Sequence, residues 1–348
     1  MNIIRKSLII LVMGIISLSL MSKNVYAHYD TAYWNEGAKA QVRAGWMNRL
    51  PDNKKVSELS LPGTHDSMAW KSNLLGADIT RTQTMTLEDQ LISGIRVLDI
   101  RVKYNYGKSF DCHHGIVYLG YNFDDVLKTI SNFLKNNPTE SVFMRFSQES
   151  SNATDREMET LFYDYYSKYK DIFYTGNSEN PTLGEIRGKL VLVSNVLSLN
   201  KYGINYRNID KQDDYHVNTN WDLYSKWEKV KNHIEKSNNR TENNKIYMNY
   251  LSASGGSFPY FVASGHSSPG TSADRLSTGL TEPGFWYAYS DFPRGNWFGV
   301  FATIYFEGTN TLTADYLNNK KISYSGMVMA DFPGRRLINN IIDCNFRN

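Results

Sequence analysis

Short runs of β-branched and apolar residues recur along this chain with helix-patterned stretches between them, and that alternation constrains the fold more than any other feature. Strands joined by crossover helices pair in parallel. The runs at 58–61, 95–101, 110–114, 141–147, 189–194, 246–251, 299–306 and 325–331 give eight candidate strands, the number a (β/α)8 barrel requires. Asn122 stands as an N-cap before Phe123, Val126, Leu127, Ile130, Phe133 and Leu134, an apolar stripe stopped by Pro138. A second stripe begins near Trp221 and runs through Leu223, Trp227, Val230 and Ile234 at helical spacing. Both read as core-facing surfaces. With no repeat, low-complexity tract or linker in 348 residues, the expectation is a single α/β domain, a TIM-type barrel with some distortion.

In a parallel barrel the carboxyl ends of the strands form the working face. The stretch Glu58 to Ser67, ELSLPGTHDS, breaks an apolar run with Pro62 and Gly63 and then presents His65 beside Asp66. Pro62 lacks a backbone N–H and Gly63 tolerates strained dihedrals, so a strand ending in a sharp turn is expected here. Two further pieces, LDIRV with Asp99 and Arg101 and DCHHG with His113 and His114, lie within about fifty residues, and ADFPG brings Asp331 near the C-terminus. His65, Arg101, His114 and Asp331 fall at or just beyond the expected ends of strands one, two, three and eight. Strand eight closes against strand one, which would bring Asp331 to His65.

Met1 to Ala27 combines Arg5 and Lys6, an apolar run from Leu8 to Leu20 and Val25-Tyr26-Ala27, the pattern of a cleaved secretory leader. The run is too short for a comfortable membrane span. Arg5, Lys6 and Lys23 belong to that leader and no acid does, so 38 basic residues fall to 35 against 35 acidic ones in 28–348. A neutral chain has no bulk attraction for nucleic acid or anionic lipid. Cys112 and Cys344 are the two cysteines. Cys112 shares a strand face with His114 while Cys344 ends an expected outer helix, so two free thiols are favoured over a disulfide. No CxxC, HExxH or paired Cys/His cluster for zinc is present.

The words WMNRLPDNKKVSELSLPGTHDS, QLISGIRVLDIR, HHGIVYL, FLKNNPTESVFMR, GKLVLVSN and MVMADFPG, in that order, resemble the bacterial phosphatidylinositol-specific phospholipases C. The resemblance runs from about Trp46 to the C-terminus, interrupted by an unmatched insertion at about 257–321. It implies a metal-independent, cofactor-free reaction on a TIM barrel, with phosphatidylinositol cleaved to diacylglycerol and a cyclic inositol phosphate. GPI anchors would be possible secondary substrates. The partner would be a phosphatidylinositol-containing membrane surface, the location secreted, and the state monomeric.

By the same resemblance His65 is the base, Asp331 fixes its tautomer, His114 with Asp66 is the acid, and Arg101 charges the phosphate oxygens. The residue types suit those tasks, because histidine titrates near neutrality and a guanidinium offers a permanent planar fork. Asp99 either holds Arg101 or takes part directly, and His113 should face away from His114. The family's lysine and arginine contacts to inositol are replaced here by Ser147 and Asn195, with Arg145 available for one charge. Asp222 and Tyr224 match the family's Asp and Tyr at the sugar ring, or else form the first turn of an amphipathic helix. The enzymatic rival is a cation-dependent barrel phosphodiesterase of the glycerophosphodiesterase or sphingomyelinase D kind, which would want a carboxylate cluster. A non-catalytic inositol-lipid-binding module is the other alternative.

Overall fold

The computed structural model describes residues 32–71, 73–242, 244–267 and 275–347. The expected secretory leader lies outside them. Strands β1 (Leu61–Thr64), β2 (Val97–Asn105), β5 (Val142–Gln148), β6 (Leu190–Ser194), β7 (Gly203–Asn205), β8 (Asp210–Gln212), β10 (Tyr247–Tyr250) and β15 (Met327–Ala330) form one sheet in the order β7-β6-β5-β2-β1-β15-β10-β8. Every neighbouring pair in this series is parallel. The series follows chain order around a barrel, with β15 against β1, and the seam between β7 and β8 is not hydrogen-bonded. The fold is therefore a distorted, incompletely closed TIM-type barrel.

Six of the eight expected strands belong to this series; two do not. The run at 110–114 is β3 (Ser109–His114), which pairs antiparallel with the long β2 and with β4 (Val117–Asn122) in a hairpin continuing outward from the barrel. The run at 299–306 lies in a separate antiparallel sheet of β12 (Ser277–Thr281), β13 (Arg294–Phe298) and β14 (Phe301–Tyr305). Their barrel places go to β7 and β8, each three residues long and too short to leave a periodic signal. A two-residue pair, β9 (His216–Val217) with β11 (Ser254–Gly255), ties the loops after β8 and β10.

The expected turn at Pro62-Gly63 is also displaced, because both residues sit inside β1. Gly63 is there for closeness: a Cβ built on it would lie 2.5 Å from Met329 Sδ and 2.9 Å from Val97 Cβ, on the strands to either side. The left-handed residue is Asp66, at φ 43°. The helix Phe123–Asn136 forms as its sequence dictates. Asn122 Oδ1 accepts from the Asp124 and Asp125 amides, and all six apolar stripe residues are buried. Leu223–Asn238 likewise buries Leu223, Trp227, Val230 and Ile234. Cys112 and Cys344 are buried and free, in different apolar clusters. In the small sheet the tip is bare, with Trp297, Phe298, Val300 and Phe301 exposed, while Ala302, Ile304 and Phe306 further along are buried. Among the described residues no helix is long and apolar enough to cross a membrane.

Candidate active site

The end of β1 is fixed before its side chains are placed. His65 N donates to Ala330 O at 3.0 Å, continuing the ladder to β15, and Gln83 Nε2 and Thr82 Oγ1 donate to the His65 carbonyl at 2.7 and 3.2 Å. Asp331 follows the last residue of β15, so the neighbouring strand ends bring His65 Nδ1 to 2.7 Å from Asp331 Oδ1. On the other side β2 presents Arg101, whose terminal nitrogen donates to His65 Nε2 at 2.7 Å. A guanidinium only donates, so Nε2 must carry a lone pair and the proton must sit on Nδ1, facing Asp331. Burial lowers the His65 pKa, but the charge and hydrogen bond of Asp331 more than offset this and the net direction is upward.

Asp99 anchors both nearby guanidinium groups. Fully buried, it accepts from Arg101 Nε at 3.0 Å and Arg145 at 2.5 Å, and from the Asp66 amide at 3.2 Å. Burial alone would raise its pKa, yet Arg101 and Arg145 hold it well below the usual carboxylate range. Its ionisation in turn raises both arginines despite their burial. Of the two roles open to Asp99, the structure supports holding Arg101. Asp66 is a different case. Its carboxylate oxygens lack a hydrogen-bond partner, with Arg101 at 3.9 Å and His114 Nδ1 at 3.5 Å. Burial pushes its pKa up to about 6 against the pull of those cations.

His114 reaches this cleft on the β3–β4 hairpin rather than on a barrel strand. Its Nδ1 donates to Thr80 O at 2.7 Å, which turns Nε2 away from that backbone contact. The imidazoles of His65 and His114 lie edge to face with ring centroids 6.5 Å apart. His113 points elsewhere, buried against Tyr118. Glu149, unnoticed in the sequence, joins the group from the end of β5: it lies 3.8 Å from Arg101 and accepts from the amide of Gly115, next to His114. Among the described residues no group of three or more His, Cys, Asp or Glu side chains is arranged to hold a metal ion.

The sequence pattern of "Phosphatidylinositol-specific phospholipase C, X domain" matches residues 59–195. A 1-phosphatidylinositol phosphodiesterase of Listeria monocytogenes is 33% identical over 245 residues, 65% of this chain and 73% of that protein. One from Staphylococcus aureus is 30% identical over 242 residues, 61% and 76% of the respective chains. The chain belongs to the phosphatidylinositol-specific phospholipase C family. The solved phosphatidylinositol-specific phospholipase C of Listeria monocytogenes superposes with a TM-score of 0.64 at 26% identity, covering 87% of this chain and 99% of that one.

In this family member His65, Arg101, His114, Arg145 and Asp331 line one cleft of about 440 Å³ together with Ser147 and Asn195. Ser147 is buried and accepts from Arg145 at 3.0 Å, so the arginine two residues earlier extends to the place where the sequence loses a basic residue. Asp222 and Tyr224 lie outside the cleft lining. The Asp222 carboxylate accepts from the Asn218 and Thr219 amides at 2.7 and 3.1 Å, closing a capping box, while Tyr224 OH pairs with Ser290 and its ring packs on Tyr289 and Phe292. These are the contacts of a helix start. The same Asp-x-Tyr spacing recurs at Asp213 and Tyr215, just past β8, and that pair does line the cleft. The spacing was visible in the sequence, but nothing identified the three residues before it as a barrel strand. The loop is braced from below: buried Lys226 donates to Gln212 Oε1 at 3.2 Å and Asp214 O at 2.7 Å.

Proposed function

We propose that this chain is a secreted, monomeric, metal-independent phospholipase C. It cleaves phosphatidylinositol into diacylglycerol and 1,2-cyclic inositol phosphate, with GPI anchors as further substrates. The carrying observation is the pairing of His65, locked as the Nδ1–H tautomer between Asp331 and Arg101, with a second imidazole across the cleft. The 2-hydroxyl of inositol gives its proton to His65 Nε2 as its oxygen bonds to phosphorus. Asp331 stabilises the imidazolium so formed. The bond from phosphorus to the glycerol oxygen breaks, and that oxygen takes a proton from the His114 imidazolium, which Asp66 and the Thr80 carbonyl support. Arg101 turns from Nε2 to the non-bridging oxygens, where its charge counts most in the transition state.

Slow ring opening by water uses the same two histidines with their roles exchanged. Asp213 accepts from the inositol hydroxyls and Tyr215 lies against the ring, the tasks for which Asp222 and Tyr224 were one of two readings of the sequence, while Arg145 supplies the one remaining charge. Phosphorus NMR of products from phosphatidylinositol, phosphatidylcholine and sphingomyelin vesicles tests the reading. A five-membered cyclic phosphate from phosphatidylinositol alone is expected; an acyclic first product, or turnover of the choline lipids, overturns it.

A further inference from the structure

The catalytic cleft has an apolar neighbour. An open groove of about 410 Å³ runs between the segment around Leu75 and the β3–β4 hairpin, with Leu74, Leu75, Ile116, Val117, Tyr118 and Leu119 along it. Leu75, Ile116 and Tyr118 are 79%, 88% and 53% exposed, a concentration of bare apolar side chains that soluble surfaces keep at binding sites. The charged residue in the lining is Lys71, whose ammonium is turned onto the Tyr121 ring at 4.0 Å and the Gly120 carbonyl at 3.4 Å. Both walls are tied to His114. Val117 is its cross-strand partner in the hairpin. On the other wall the Thr80 hydroxyl donates to Leu75 O at 2.8 Å and the Thr80 carbonyl accepts a hydrogen bond from His114 Nδ1.

We propose that this groove receives the acyl chains of the diacylglycerol leaving group. The proposal rests on the reading above, in which His114 protonates the glycerol oxygen. The atoms attached to that oxygen must then leave the cleft on the His114 side, and the surface flanking His114 there is this apolar groove. Inositol is held at the opposite side, by Asp213, Tyr215 and Arg145. The groove thus sorts substrates by what is attached to the leaving oxygen, and the cleft by the head group.

The test is kcat/KM for short-chain phosphatidylinositols of increasing acyl length, each below its micelle-forming concentration, beside a water-soluble inositol phosphodiester with no acyl chain. For the wild-type chain each methylene that reaches the groove should raise kcat/KM up to about fourfold, the factor for burying one CH2. Ile116→Asn and Leu75→Asn should flatten that dependence while leaving the acyl-free substrate unchanged; both side chains are exposed, so folding is spared, and circular dichroism checks it. An unaltered chain-length slope in both variants overturns the proposal. So does a flat slope in the wild type, or an equal loss on every substrate. Loss of binding to phosphatidylcholine vesicles with the slope intact would make the groove a membrane anchor and also overturn it. Failure of the wild type to cleave the acyl-free substrate would instead remove the functional reading underneath.

Discussion

Arg101 and His65 share a 2.7 Å hydrogen bond in which the guanidinium occupies the nitrogen that must accept the substrate proton. The two cannot keep this contact once His65 is protonated, since both would then be donors. Arg101 must therefore turn from Nε2 to the phosphate before His65 can take the substrate proton, and protonation of His65 then keeps it there. Arg101→Lys should lower kcat by roughly 10²–10³, the worth of one oxyanion donor, and do so with every leaving group, because a point charge does not reproduce the fork. Exhaustive chelation should leave the rate unchanged. Loss with EDTA and return with calcium would sink this account.

The two histidines should part ways by substrate. Either alanine variant is expected to cost about two to four orders of magnitude on phosphatidylinositol. With a leaving group of low pKa the acid is hardly needed, so His114→Ala should recover much of its rate while His65→Ala does not. Equal recovery in steady-state assays would mean the roles are misassigned.

Asp66 holds a charge in a place that disfavours it. Its pKa rises from 3.8 to about 6 on folding, chiefly through burial, so the unfolded chain releases this proton first. Its contribution to stability is complete below pH 3.8 and is lost as the pH climbs through about 6. Asp66→Asn removes that loss and tolerates the left-handed backbone. The variant should be more stable to unfolding than wild type above pH 6, by on the order of a few kcal/mol, and gain nothing near pH 3, while losing activity. A gain of the same size at both pH values would show that the charge is not its source.

Lys226 carries no expected contact with substrate, yet it supports the loop that does. Lys226→Met keeps its length and removes the ammonium that bridges Gln212 and the Asp214 carbonyl. KM for inositol substrates should rise by roughly tenfold or somewhat more, the lower end of the worth of one hydrogen bond to a charged group, with kcat little changed. A drop in kcat at constant KM would place its role elsewhere.

The bare tip of β13 and β14, with Trp286 and Tyr287 on the preceding turn, suits a lipid interface. Trp286→Ala and Phe298→Ala should each weaken vesicle sedimentation by roughly tenfold, the lower end of burying a large apolar side chain. Hydrolysis of a soluble inositol phosphodiester should be spared. Equal losses on both would count against an interfacial role.

The sequence by itself determined the elements whose signal is local. The stripe of Phe123 to Leu134 with its Asn122 cap, the long runs that became β2, β5, β6 and β15, and the residue types His65, Arg101, His114 and Asp331 were all legible there, because capping and amphipathic burial depend on near neighbours. Tertiary structure decided what pairing decides. A run such as Ser109–His114 has the same composition whether it closes a barrel or folds back as a hairpin, and only the partner strand tells them apart. Three-residue strands such as Asp210–Gln212 have no periodicity at all; their neighbours define them, and with them the positions of Asp213 and Tyr215. Gly63 shows the same division, since its identity answers to Met329 and Val97 on adjoining strands rather than to its own dihedrals. The pKa of Asp66 and the tautomer of His65 likewise arise from charges brought together across the barrel, at separations in the chain that no local pattern spans.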